Sequence, residues 1–142
     1  MVNNLTDGLD ARFAHGRHVY LDYVNFNPEV ENIDTWVLSL LRSSVKECGI
    51  KEVHSHCEVF DGVESPPGFA AIVLIDESHV TAHCYSEKGW LAIDAFTCGA
   101  HDPNDLADII HAKLIAKCEN LKLMNRNAVE RFLHDDLSQN KE

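Results

Sequence analysis

Phe69-Ala70-Ala71-Ile72-Val73-Leu74-Ile75 is an uninterrupted apolar run of strand length. The polar cluster Asp76-Glu77-Ser78-His79 ends it abruptly, and Val80 to Tyr85 resumes strand character. Trp90 to Phe96 follows, with Glu87-Lys88-Gly89 as the hairpin turn between the two. Upstream, Asp61 to Gly68 holds two Gly and two Pro and reads as a loop, preceded by a strand over Glu52 to Phe60. Asp34 is placed to cap a helix that carries Trp36, Val37, Leu40, Leu41 and Val45 on one face and stops at Gly49. Before it, Asn25 to Glu31 is a polar turn region and Arg17 to Val24 is a strand, with residues 1–15 as a loose arm. Downstream, Asp102 and Pro103 open a helix with Leu106, Ile109, Ile110, Lys113 and Leu114 at helical spacing. Leu121 to Met124 reads as a last short strand before a polar tail from Asp135. The order β-α-β-β-β-β-α-β predicts an α+β two-layer sandwich: one mainly antiparallel sheet with two helices packed on one face.

The 142 residues fit a single domain with one core. Twelve Lys and Arg stand against twenty-three Asp and Glu, a net charge of −11. Such a chain repels phosphate backbones and anionic lipid, so neither nucleic acid nor a membrane is expected as a partner, whereas a cationic small molecule is attracted. Met1 to Arg12 carries no apolar core of signal-peptide length, and no apolar run is long enough to span a bilayer. A cytoplasmic location is expected, with the five cysteines (Cys48, Cys57, Cys84, Cys98 and Cys118) as free thiols.

Chemistry concentrates in Asp76-Glu77-Ser78-His79-Val80-Thr81-Ala82-His83. Alone, its polar half is a tight turn, since Asp, Glu and Ser are common turn residues. Together, Glu77-Ser78-His79, His83 and Phe96-Thr97-Cys98-Gly99 resemble the bacterial and archaeal S-adenosylmethionine decarboxylases, small pyruvoyl-dependent enzymes. Gly16-Arg17-His18 before the first strand, with Asp22 beyond it, extends the resemblance, which runs from about Gly16 to Asn125.

The resemblance implies a zymogen that cleaves itself between Glu77 and Ser78 into a β chain, 1–77, and an α chain, 78–142. Ser78 would become a covalent pyruvoyl group, His83 would act in processing, and Cys98 would be the proton donor in turnover. The pyruvoyl ketone would hold the substrate amine as a Schiff base and act as an electron sink. Glu87 would hold the ribose hydroxyls of S-adenosylmethionine, and Phe60, or failing it Phe69, would stack on adenine. The product would supply aminopropyl groups for polyamine and spermidine synthesis, and the cleaved protomers would form a homodimer. Read without the resemblance, His83 is a strand histidine, Cys98 a small buried thiol and Glu87 a turn residue.

Three departures bear on this. Ala70 stands where the family has a processing serine, leaving Ser65 or a water as substitutes. The family's His-Thr-Trp-Pro-Glu is His83-Cys84-Tyr85-Ser86-Glu87, which keeps an aromatic but loses the proline. The loop Asp61 to Pro67 is longer than usual. These changes leave room for a pyruvoyl-dependent ornithine or arginine decarboxylase, with Asp61 or Glu64 facing the distal cation, and for a non-cleaving regulatory homologue. A metal site is the other reading weighed. His54-Ser55-His56-Cys57, completed by His101 or His111, offers soft ligands, but on a strand Cys57 points away from both histidines, and no metal is expected.

Overall fold

The computed structural model describes residues 13–135; the expected arm up to residue 12 and the tail beyond residue 135 lie outside them. Six strands and two helices run in the expected order. They are β1 (Phe13–Val24), α1 (Ile33–Glu47), β2 (Glu52–Phe60), β3 (Gly68–Ile75), β4 (Ser78–Tyr85), β5 (Trp90–Cys98), α2 (Pro103–Lys117) and β6 (Lys122–His134). The strands form one sheet in the order β2-β3-β4-β5-β1-β6, and every neighbouring pair is antiparallel.

Strand alternation sorts the sheet into two faces. Val19, Leu21 and Tyr23 of β1 lie level with Ala95, Ile93 and Leu91 of β5, and all six are buried. Val80, Ala82 and Cys84 of β4 continue the layer, and α1 and α2 cover it with Val37, Leu41, Leu106 and Ile110. The opposite face carries His18, Tyr20, His79, His83, Tyr85, Trp90 and Phe96, none of them buried. Gly68 permits the closest strand approach, since a Cβ there would lie 2.0 Å from the Cys84 carbonyl oxygen.

Five boundaries differ from expectation. Helix α1 is preceded by Asn32 in a left-handed conformation (φ 52) with no side-chain cap, and Asp34 sits in the first turn, where it complements the helix dipole instead of capping. Strand β1 begins at Phe13, inside the expected arm. Strand β6 is thirteen residues long and not a short segment near Leu121 to Met124; it pairs with β1 along its whole length. Strand β4 starts two residues early at Ser78 and β5 runs two residues past Phe96 to Cys98, while the helix signals at Gly49 and Asp102 held. Gly49 closes α1 at φ 73, and Asp102 caps α2 by accepting the Asn104 N–H at 2.9 Å, with Pro103 in the first turn.

Candidate active site

Ile75 and Ser78 pair directly, so Asp76 and Glu77 alone turn the chain between β3 and β4. Glu77 holds φ at 72°, a left-handed conformation that glycine or asparagine normally supplies. For a glutamate this strain costs about 1–3 kcal/mol. Immediately after it, the Ser78 hydroxyl oxygen is buried and has no hydrogen-bond partner among the described residues. An unpaired buried hydroxyl costs about 1–3 kcal/mol more. A strained peptide followed by an uncommitted nucleophile is the local arrangement that attack on the preceding carbonyl requires.

Cys98 ends β5 beside this turn. His79 pairs with Phe96, and the same register continued two residues brings Cys98 level with Glu77. Cys98 is buried, and burial, followed by the negative Glu77 carboxylate, pushes its thiol pKa up. It therefore carries its proton at neutral pH, as a donor must. Gly16 makes room for it, since a Cβ there would meet Phe96 Cε1 at 2.9 Å and Cys98 Sγ at 3.1 Å. Past Cys98, buried Thr97 donates to the His101 carbonyl at 2.8 Å, and Gly99 turns the chain at φ 73.

His83 is not part of this cluster. It lies five residues along β4 from Ser78, roughly 17 Å at strand rise. Its ring, on the open face, packs against Tyr85 at 4.9 Å and edge-on to Phe60 at 6.0 Å. Ala70 is its register partner in β3. Here Asp22, His83, Tyr85, Trp90, Ala92 and Met124 line a cavity of about 380 Å³. Phe69 is not available to this cavity. It is 3% exposed on the helix-covered side, so strand alternation removes the second stacking candidate and leaves Phe60. Glu87 is exposed in the turn that closes the same end of the hairpin. A larger cavity, about 640 Å³, lies at the C-terminal end of α2 between Asn25 and Asn120 and holds none of the expected site residues.

Between the two ends runs a polar network centred on Asp94, a residue that pattern reading did not single out. His18 Nε2 lies 2.9 Å from Asp94 Oδ1, and Thr81 Oγ1 donates to Asp94 Oδ2 at 3.4 Å. His79 stands edge-on to Phe96 at 5.5 Å, and burial, then neighbouring His18, lower its pKa against the opposing pull of Asp94. Their alternation on three adjacent strands was the available signal. No group of three or more His, Cys, Asp or Glu side chains among the described residues is arranged to hold a metal ion. No helix among the described residues is long and apolar enough to cross a membrane.

An antiparallel sheet backed by two helices, with the Ser78 hydroxyl behind a strained hairpin turn and the Cys98 thiol beside it, defines an α+β two-layer protein. The family model for S-adenosylmethionine decarboxylase matches residues 17–127. The S-adenosylmethionine decarboxylase proenzyme of Geobacillus sp. (strain WCH70) is 37% identical over 108 residues, covering 72% of this chain and 79% of that protein. The proenzyme of Symbiobacterium thermophilum is 28% identical over 119 residues, covering 83% and 87%. The crystal structure of the adenosylmethionine decarboxylase from Aquifex aeolicus VF5 superposes with a TM-score of 0.62 at 26% identity, covering 83% of this chain and 91% of that one. The chain belongs to the S-adenosylmethionine decarboxylase family.

Proposed function

We infer that this chain is a proenzyme that cuts itself between Glu77 and Ser78 and then decarboxylates S-adenosylmethionine. The observation that carries this is the unpartnered, buried Ser78 hydroxyl directly behind left-handed Glu77. In self-cleavage, Ser78 Oγ bonds to the Glu77 carbonyl carbon as the Glu77–Ser78 C–N bond breaks, leaving an ester and a free amine. Loss of the residue-78 Cα proton expels the ester oxygen, so Glu77 becomes a C-terminal carboxylate. Water then replaces the residue-78 nitrogen, which leaves as ammonia, and a ketone remains. The residues fit such a pyruvoyl group, because its parent hydroxyl is bonded to nothing that must be broken first. Once formed, the group supplies a carbonyl that accepts the electron pair left when carbon dioxide departs. Cys98, held protonated, delivers the proton to the substrate α carbon.

His83 serves Ser78 through a second copy of the chain. In one chain the two are roughly 17 Å apart, and strand alternation puts their side chains on opposite faces of β4. A homodimer joined through the open sheet face brings the partner's His83 toward the Glu77–Ser78 peptide at the end of the sheet and encloses a nucleoside that one open cavity cannot. Co-expressed Ser78→Ala and His83→Ala chains, each inactive alone, are expected to recover about a quarter of wild-type activity, since random pairing makes half of the dimers mixed and each mixed dimer has one intact site. Activity no greater than that of either variant alone removes the shared site.

The cavity beside His83 suits a flat cation. Phe60, Tyr85 and Trp90 offer aromatic faces, and Asp22 supplies the carboxylate. Carbon dioxide release from S-adenosylmethionine, ornithine and arginine, measured with one preparation, is expected to be fastest with S-adenosylmethionine. Inert S-adenosylmethionine beside a reactive ornithine or arginine would reassign the substrate to the smaller cations.

A further inference from the structure

We propose that His15 is a positioning residue for self-cleavage, holding the Glu77 carboxylate and with it the left-handed backbone that presents the Glu77–Ser78 bond. The proposal rests on the reading of that bond as the cleavage site. His15 Nε2 lies 3.7 Å from Glu77 Oε1. In the sheet order β4-β5-β1, the two strands that carry this contact are not neighbours. It therefore reaches across the end of β5, where Cys98 sits, and ties the β3–β4 turn to β1. The His15 end is itself fixed. Its carbonyl accepts the Gly99 N–H at 3.2 Å, and its ring stands edge-on to Phe132 at 6.3 Å. On the other side, Asp76 N–H donates to the Lys51 carbonyl at 2.9 Å, so the turn is held from both flanks. A glutamate at φ 72 persists only where its surroundings overdetermine it, and the His15 contact is the side-chain part of that restraint.

The charge on His15 sets the strength of the hold. Glu77 faces it from the turn. Arg17 on its own strand, His101 from the segment after β5 and Glu130 from β6 line a cavity of about 190 Å³ with it. Arg131 of β6 pairs with the adjacent Gly16, and Cys98 of β5 is neutral because its thiol is pushed up. A protonated imidazole attracts the Glu77 carboxylate, and a neutral one offers at most a hydrogen bond.

The test follows self-cleavage of newly synthesised full-length chains by intact mass, at a series of pH values, for wild type, His15→Gln, His15→Arg and Ser78→Ala. At about pH 5.5, His15→Gln is expected to cleave about 5-fold more slowly than wild type, the upper range for a half-exposed ion pair. The gap should be widest at the acid end of the series, because only a protonated imidazole attracts a carboxylate. His15→Arg, charged throughout, should cleave close to the wild-type rate at both ends. Equal rates for His15→Gln and wild type at every pH would overturn the proposal. So would a pH-independent slowing shared by His15→Arg, which would mark a packing role. Both of those outcomes leave the cleavage reading standing, since wild type still cuts and Ser78→Ala does not. A wild type as uncut as Ser78→Ala overturns both.

Discussion

Ser78→Ala is expected to remain one uncut chain of 142 residues and to release no carbon dioxide from S-adenosylmethionine. The wild type should separate under denaturing conditions into residues 1–77 and a fragment beginning at residue 78 whose terminus is a ketone and not an amine. The variant removes the one atom that can attack the Glu77 carbonyl from the following residue, and with it the source of the ketone. Folding should survive. The lost hydroxyl is buried without a partner, so its removal relieves a desolvation cost instead of breaking a bond. Intact mass and a thermal melt of one preparation check both statements. A wild-type chain that stays whole on long incubation, folded and without turnover, would place this protein with non-cleaving regulatory homologues.

Cys98→Ala is expected to separate processing from turnover. It should cleave at Ser78 as the wild type does, but decarboxylate about 2–4 orders of magnitude more slowly, the usual cost of a missing general acid. The pH dependence carries the same signature. Burial and the Glu77 carboxylate raise the thiol pKa, so the proton is present below the ordinary thiol range and is lost only as pH climbs above it. Turnover attributable to Cys98 should therefore hold through neutral pH and fall on the alkaline side, and the variant should lack that alkaline limb. A variant that turns over at the wild-type rate would exclude Cys98 as donor.

The contrast between β3 and β6 explains which elements pattern reading finds. Gly68–Ile75 is a central strand, covered by helices on one face and flanked by strands on both sides, so its apolar residues announce it. Lys122–His134 is an edge strand whose residues are exposed almost throughout; it is held by its pairing with β1, and Asn125, Arg126, Asn127, Glu130 and Arg131 give no alternation to read. The Asn32 entry to α1 was hidden for a related reason. Its left-handed backbone is imposed by how the chain arrives, and Asp34, the more obvious cap, falls two residues further on, within the first turn.

Order and alternation along the chain were enough to determine the α+β class, the sequence of elements, the helix stop at Gly49 and the helix start at Asp102, because burial and turn chemistry act between near neighbours; the grouping of Glu77, Ser78 and Cys98 came from the family resemblance. Tertiary structure alone decided the rest. Phe69 and Phe60 look equivalent in the sequence, yet β2–β3 pairing sends one into the core and the other to His83. His83 lies five residues from Ser78, and an extended strand makes that a gap of roughly 17 Å, which a helix would have shortened to about 7 Å. His15 and Glu77 are 62 residues apart in sequence, and only the sheet order, which sets β1 one strand away from β4, brings imidazole and carboxylate within 3.7 Å at the bond to be cut.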